Sequence, residues 1–481
     1  MKPDKLSLKE KIGYGFGDAA SSMFWKLFSM YLMFFYTDIF GISAIVVGTM
    51  FLITRIWDAS FDPLVGILSD RTHTRWGQFR PYLLWMAVPF GIAGVFTFTT
   101  PHLGLTGKIT YAYISYSMMM MIYSLINVPY ASLMGVMTSD GKERTSLATF
   151  RFIFAFGGGL LILALAEPLV EIYSKMGSGG TNLQTGWQLT ALTFGLLAII
   201  FFLITFSLTK ERISPMSKKT SLRNDLKDLF QNRPWFILLG AGVAAIFFNS
   251  LRDGATIYYF KYYVLEQGAF PIDTFNLTIT YSSLYFVLGQ AANIIGVLLA
   301  KPVSDQIGKK HTFLYAMIFA SLLSVFFFWI DKSSLSLIFA TQFFISICAG
   351  IIFPLVWSMY ADTADYSEWK TGRRATGLIF SASSMSQKFG WTIGGALTGW
   401  LLGYYGFRAN VVQTEGAQIG IRLMLSIFPA IGTCIAALFI LFYPLKESVM
   451  HTIELELENR RKLIKNSVEG KMVDFINQFN P

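Results

Sequence analysis

Long apolar runs alternate with short polar breaks along almost the whole chain. A helix that crosses a bilayer takes about 20 mostly apolar residues. Runs of that length predict spans near 13–40, 44–69, 80–99, 108–136, 147–173, 187–209, 234–264, 275–301, 312–330, 335–361, 375–404 and 420–443. No small-residue cleavage site follows the first run, so it reads as a retained helix rather than a signal peptide. A polar stretch, KERISPMSKKTSLRNDLKDLFQNRP, separates six spans from six. The expected organisation is an N-terminal half over 1–209, a central loop over 210–233, a C-terminal half over 234–445 and a solvated helical tail over 446–481.

The two halves echo each other. "GDAAS" at 17–21 matches "RDGAT" at 252–256, and "ILSDRTHTRWG" at 67–77 matches "PVSDQIGKKH" at 302–311. Asp18 to Asp253 and Asp70 to Asp305 share an offset of 235 residues, while Pro129 to Pro354 and Asp140 to Asp365 share one of 225. Two parallel six-helix repeats are the organisation of major facilitator transporters. The expected fold class is therefore an all-α membrane protein of twelve transmembrane helices in two six-helix halves.

Composition agrees. Of 481 residues, 53% are hydrophobic and 14% charged, against about 25% charged in a soluble domain. The net charge of +10 could suggest nucleic acid, but its distribution argues otherwise. Lys and Arg collect in the N-terminus, the even-numbered loops and the tail, while the odd-numbered loops hold only Lys108, Lys175, Lys332 and Arg408. That asymmetry puts both termini in the cytosol. The expected partners are a lipid bilayer and a small substrate, with no nucleic acid and a functional monomer. Two cysteines in apolar runs and four scattered histidines offer neither a disulfide framework nor a metal cluster.

The candidate chemistry lies in "TRIWDASFDPLVGILSDRT", Thr54 to Thr72. Arg55, Asp58 and Asp62 are spaced i, i+3, i+7 and share one helix face. At 1.5 Å per residue, Asp62 lies about 12 Å and Asp58 about 18 Å above Asp70, near the middle of a hydrocarbon core about 30 Å thick. A charge there costs roughly 3 kcal/mol or more and normally faces a partner or a cavity. One arginine neutralises one carboxylate, and the surplus points to a transported cation; a purely structural ion pair is the plainer reading. Asp18, Ser22 and Lys26 line one face of span 1, Asn127 precedes a proline in span 4, and Arg151 opens the apolar part of span 5. Arg252 and Asp253 lie in span 7, and Lys388 lies deep in span 11, too far from either end to snorkel. Tyr123, Tyr130 and Phe353 sit beside polar residues and could stack on a sugar ring; plain packing weighs equally.

The stretches "GYGFGDAASSMFW", "RIWDASFDPLVGILSDRTHTRWGQFRPYLL", "NVPYASLMGVMTSDGKERTSLATFRF" and "ADTADYSEWKTGRRATGLIFS" resemble the glycoside–pentoside–hexuronide:cation symporters over residues 8 to 450. Within that family the motifs look most like those of enterobacterial xyloside symporters. By resemblance to melibiose permease, Asp58, Asp62 and Ser124 would take the cation, Lys388 would couple it to the sugar, and Arg151 would contact the sugar. The chain departs from that relative at Phe61, where an asparagine ligand is replaced, and at Ser22 and Asn127, where two sugar-binding aspartates are replaced. Phe353 and Ala131 stand where that relative has stacking tryptophans.

The resulting expectation is a cell-membrane protein, in the inner membrane if the source is Gram-negative, that imports a sugar or glycoside such as a pentoside with a cation. Asp58, Asp62 and Ser124 would bind the cation, with Lys388 and Arg55 coupling. Asp18, Ser22, Lys26, Tyr123, Asn127, Arg151 and Phe353 would meet the substrate. Asp70, Arg71 and Asp305 would latch the cytosolic side. Sodium must regain several oxygen ligands for the waters it sheds, whereas a proton needs one carboxylate made more basic by desolvation and a like-charged neighbour; a proton is favoured. A hexuronide is the alternative cargo, since Lys26 would suit a carboxylate, and an amphiphile such as a lysolipid is a further one. No cofactor beyond the cation, no structural metal and no enzymatic activity are expected, because no nucleophile–base pair or ligand cluster lies at membrane depth.

Overall fold

The computed structural model describes residues 5–138, 141–176, 181–212, 231–265, 270–272, 277–372, 376–453, 455–457 and 459–460. Helices dominate. The first half contains α1 (Leu8–Leu27), α2 (Ala44–Asp70), α3 (Arg80–Thr97), α4 (Leu105–Met137), α5 (Gly141–Lys175) and α6 (Leu183–Leu208). The second contains α7 (Arg233–Tyr258), α8 (Tyr281–Ile307), α9 (Lys309–Phe327), α10 (Leu335–Thr371), α11 (Thr376–Tyr404), α12 (Glu415–Leu425) and α13 (Ile427–Leu441). Among the described residues nine stretches are long and apolar enough to cross a membrane, α12 and α13 counting as one. One departure from an all-helical chain is a short antiparallel pair between α7 and α8, β1 (Phe270–Ile272) and β2 (Leu277–Ile279). It displaces the start of α8 to Tyr281, six residues beyond the expected boundary.

Local signals set the helix ends. Ser7 and Glu10 form a reciprocal capping box at α1. Asn182, Asn232, Thr280 and Thr414 cap α6, α7, α8 and α12 with their side chains. Beyond Leu27, α1 continues through two wider i→i+5 turns, Phe28–Leu32 and Phe35–Ile39. The gap between α12 and α13 has a covalent cause. Pro429 has no N–H to offer the carbonyl four residues back, that of Leu425. Arg252 of α7 donates to that carbonyl instead, and also to Tyr285 of α8 at 2.8 Å and Gln342 of α10 at 2.6 Å.

Within the first half α1 packs on α5 and α6, α3 on α4 and α6, and α2 on α4. Within the second, α8 packs on α10, α7 on α11 and α13, and α9 on α10 and α13. Lipid tails give helices no hydrophobic reason to associate, so close backbone approach matters. At Gly350 of α10 a methyl group would strike the Asn293 carbonyl of α8, and at Gly296 it would strike the Ile347 carbonyl.

The halves meet through α2 on α11, α5 on α8, and the wider turns of α1 on α7. These contacts lie toward the end opposite the termini. There Asp38 reaches Lys261 at 2.7 Å and Tyr262, Thr37 meets Tyr258 at 2.7 Å, and Asn410 donates to the Asp38 carbonyl at 2.6 Å. On α2 and α11, Gly48 faces the Ala396 carbonyl, and Gly399 faces that of Ala44. At the terminal end the ion pairs given by the described residues stay within one half: Lys11 with Glu143 at 2.9 Å, and Lys309 with Asp362 at 2.8 Å. Glu211 likewise accepts from the backbone N–H groups of Gln78, Phe79 and Arg80. Arg71 and Asp305 are exposed there, and the Asp70 side chain and Asp140 lie outside the described residues. The expected latch therefore gives no described contact in this state, because the halves are joined at the opposite end.

Candidate functional site

The helix face read from the sequence points into the seam between the halves. Ser124 of α4 lies with its Oγ 2.7 Å from Asp58 Oδ1 and 2.7 Å from Asp62 Oδ1. Lys388 of α11 approaches the other side of the pair, at 3.5 Å from Asp58 Oδ2 and in direct contact with Asp62 Oδ2. Asp58 and Ser124 are each 2% exposed, while Asp62 and Lys388 are half-buried and keep access to the seam. Arg55 stands farther off, 3.9 Å from Asp58, with its guanidinium 4.5 Å above the Trp25 ring. The charge balance thus differs from the expected surplus. Arg55 and Lys388 offer two cations to two carboxylates, and Lys388 comes from the other half.

Beside this cluster lies a second group on the first half. Arg151 Nε donates to Asp18 at 2.9 Å, with the guanidinium 5.5 Å from the Tyr130 ring. Tyr130 stacks on Tyr14 at 4.6 Å, and each hydroxyl donates to the other's backbone carbonyl. Asn127 lies one turn beyond Ser124 on α4 and donates to the Tyr123 carbonyl at 3.0 Å. Ser22 is half-buried, and Lys26 lies along Gly159 of α5. Phe353 is in the second half, lining a small cavity with Asn249 and Gln387. The structure thus groups Asp58, Asp62, Ser124, Lys388 and Arg55, and separately Asp18 with Arg151, while Phe353 stands apart across the seam.

The sequence pattern over residues 13–447 matches the family model described as MFS/sugar transport protein. The chain belongs to that sugar transport family. It is 38% identical to the inner membrane symporter YicJ of Escherichia coli (strain K12) over 439 residues, covering 91% of this chain and 92% of the relative. It is 36% identical to an isoprimeverose transporter of Lactiplantibacillus pentosus, covering 90% and 88%. Among solved structures, a bacterial homologue of the lysosomal transporter Spinster, described as inward-facing and occupied, superposes with a TM-score of 0.64 at 14% identity, covering 91% of this chain and 95% of that one. That last likeness shows the fold. The chain is a multi-pass membrane transporter rather than an enzyme, and its motifs place it with the glycoside–pentoside–hexuronide:cation symporters of the MFS sugar transport family.

Two aromatic residues beside these groups escape sequence reading. Trp25 sits between Arg55 and Tyr123 and meets Trp391 of α11 edge-on at 6.0 Å, bridging the halves. In a chain with 16% aromatic residues, aromatic character alone singles out neither. A tryptophan one turn from a candidate sugar contact, Ser22, was the available signal.

Proposed function

We propose that this transporter carries a sugar or glycoside such as a pentoside inward, driven by a proton, through twelve spans of which α12 and α13 form the last. The placement of Lys388 carries the reading: an ammonium of the second half lies against both carboxylates of the first. Two carboxylates and one hydroxyl, that of Ser124, suffice for a proton, whereas sodium calls for further oxygen ligands. Lys388 then stands in for the cation when the site is empty, and cation entry displaces it. Asn127, one turn along α4, passes that change to the group containing Asp18, Ser22, Lys26, Tyr123 and Arg151, which would hold the sugar with Phe353 facing it. The basic loops place the termini in the cytosol, so the joined end is extracytoplasmic and the site opens inward. Arg71 and Asp305, exposed here, would engage in the opposite state.

The ion is tested by sugar uptake into membrane vesicles under an imposed proton gradient and, separately, a sodium gradient at fixed pH. Uptake is expected to follow the proton gradient and to alkalinise the medium. Stimulation by sodium alone, without alkalinisation, refutes the proton reading. Phe61→Asn adds an oxygen ligand beside the pair and is expected to create a sodium response that the parent lacks.

Cargo charge is read by competition against a bound fluorescent sugar. Asp18 already engages Arg151 at 2.9 Å, so that pair offers a sugar no net charge. A neutral xyloside is expected to compete, and free glucuronate is not. Displacement by glucuronate with no effect of xylosides assigns Lys26 to a substrate carboxylate.

A further inference from the structure

On α7, Gly242, Ile246 and Asn249 line the small cavity that also holds Phe353 and Gln387. Their spacing continues to Asp253, which extends the same helix face by one turn. Asp253 is half-buried, and among the described residues it has no hydrogen bond or ion pair. Its neighbour Arg252 is turned elsewhere, to Leu425, Tyr285 and Gln342. The strongest charge acting on Asp253 comes instead from the other half, from Lys26 of α1.

Lys26 is half-buried too, with its stem along Gly159 of α5. It also lacks a hydrogen bond or ion pair among the described residues. Neighbouring contacts hold the two side chains at one level of the seam. Trp25, next to Lys26, meets Trp391 edge-on at 6.0 Å. The Trp391 carbonyl accepts from Ser250 Oγ, one turn back from Asp253 on α7, at 3.2 Å. Lys261, which joins the halves through Asp38, lies about two turns farther along the chain. Lys26 and Asp253 therefore lie on the site side of the joined end and take no part in that junction.

The other charges of the seam have partners: Asp18 has Arg151, and Asp58 and Asp62 have Arg55 and Lys388. A carboxylate and an ammonium left out of contact at membrane depth are costly, and such groups normally face a cavity or a ligand. An ionised carboxylate only accepts hydrogen bonds and an ammonium only donates them. A hydroxyl does both, so it can donate to Asp253 while it accepts from Lys26. Trp25 and Trp391 add apolar rings beside that position.

We propose that Asp253 is a sugar-binding residue of the second half, and that one hydroxyl of the cargo bridges Asp253 and Lys26 across the seam. The inference rests on the sugar transport reading above and deepens it, and it does not depend on the driving ion. It also disfavours an acidic sugar, because a substrate carboxylate near Lys26 would meet Asp253 as well.

The test is calorimetric titration of the full-length protein in lipid nanodiscs with methyl β-xyloside, methyl β-glucoside and methyl β-glucuronide. The tighter of the two neutral glycosides is then compared with its monodeoxy analogues. In the parent, loss of one particular hydroxyl is expected to weaken binding roughly 10- to 150-fold, the range for a hydrogen bond to a charged group. Asp253→Ala is expected to weaken the complete glycoside by a similar factor and to lose discrimination against that one analogue. A carboxylate that only supports the fold would not single out one hydroxyl. Parent-like affinity in Asp253→Ala, or an equal loss across all analogues, overturns the proposal. Should Asp253→Ala fail to reach the membrane, Lys26→Met decides: lost discrimination at the parent's critical hydroxyl supports the bridge, and discrimination kept there overturns it. A parent that prefers the glucuronide to both neutral glycosides also overturns it, by assigning Lys26 to a carboxylate. A parent that binds none of the three instead refutes the sugar transport reading on which the inference stands.

Discussion

Lys388→Ala is expected to abolish sugar accumulation against a gradient while the protein still reaches the membrane. Two carboxylates at the seam share the Lys388 ammonium, 3.5 Å from one and in contact with the other. In the proposed cycle this ammonium fills the cation's place on the return journey. Without it the empty pair has only Arg55 nearby, at 3.9 Å from Asp58. The carrier must then cross with its ion still bound, which permits exchange but no net work. Moving one charge through 100 mV is worth about 2.3 kcal/mol, or roughly 50-fold accumulation. The variant should fall to a ratio of about 1. Labelled-sugar uptake with and without a protonophore measures this, and counterflow of preloaded sugar should survive. Accumulation equal to the parent's would make Lys388 a packing residue.

Gly399→Leu is expected to stop transport by a different route, holding the extracytoplasmic end apart. Gly399 of α11 faces the Ala44 carbonyl and Gly48 of α2, with no room for a side chain. Four residues on, Gly403 faces Ile45. These contacts join the halves rather than stabilise either one, so the cost falls on one conformation and not on the fold. Overpacking costs about 1–3 kcal/mol, a shift of roughly 5- to 150-fold toward the outward-open state. The readout is a disulfide between Ile45→Cys and Gly403→Cys. It should form in the parent background, stop transport when formed, and fail to form once Gly399→Leu is added. Undiminished crosslinking with normal transport would show that the helices tolerate the wedge. By contrast, the Gly296 and Gly350 crossing lies inside one half, where crowding would destabilise the half itself.

Much of this arrangement was legible because intramembrane charge is costly and therefore rare. Arg55, Asp58 and Asp62 stood out by spacing alone. The partners that complete the cluster, Ser124 and Lys388, lie 62 and 326 residues from Asp62, and only the family resemblance joined them to it. Asp38 and Lys261 drew no notice, since charges near helix ends ordinarily meet water or headgroups. Their importance comes from the other half closing over them. The break at Ser426 was hidden for another reason. A proline inside a membrane helix is often tolerated, as Pro354 is in α10, so Pro429 gave no sign of which carbonyl would be left over.

The three acceptors of Arg252 carry a consequence for how the protein is made. Tyr285, Gln342 and Leu425 follow it by 33, 90 and 173 residues. As the ribosome delivers α7, its guanidinium enters the bilayer before any of them exists, at an insertion cost of roughly 3 kcal/mol. That debt is settled in instalments and closed only when Leu425 emerges. Completion of the second half is thereby tied to its last span, and a chain that stops short of it leaves one of the three acceptors of Arg252 missing.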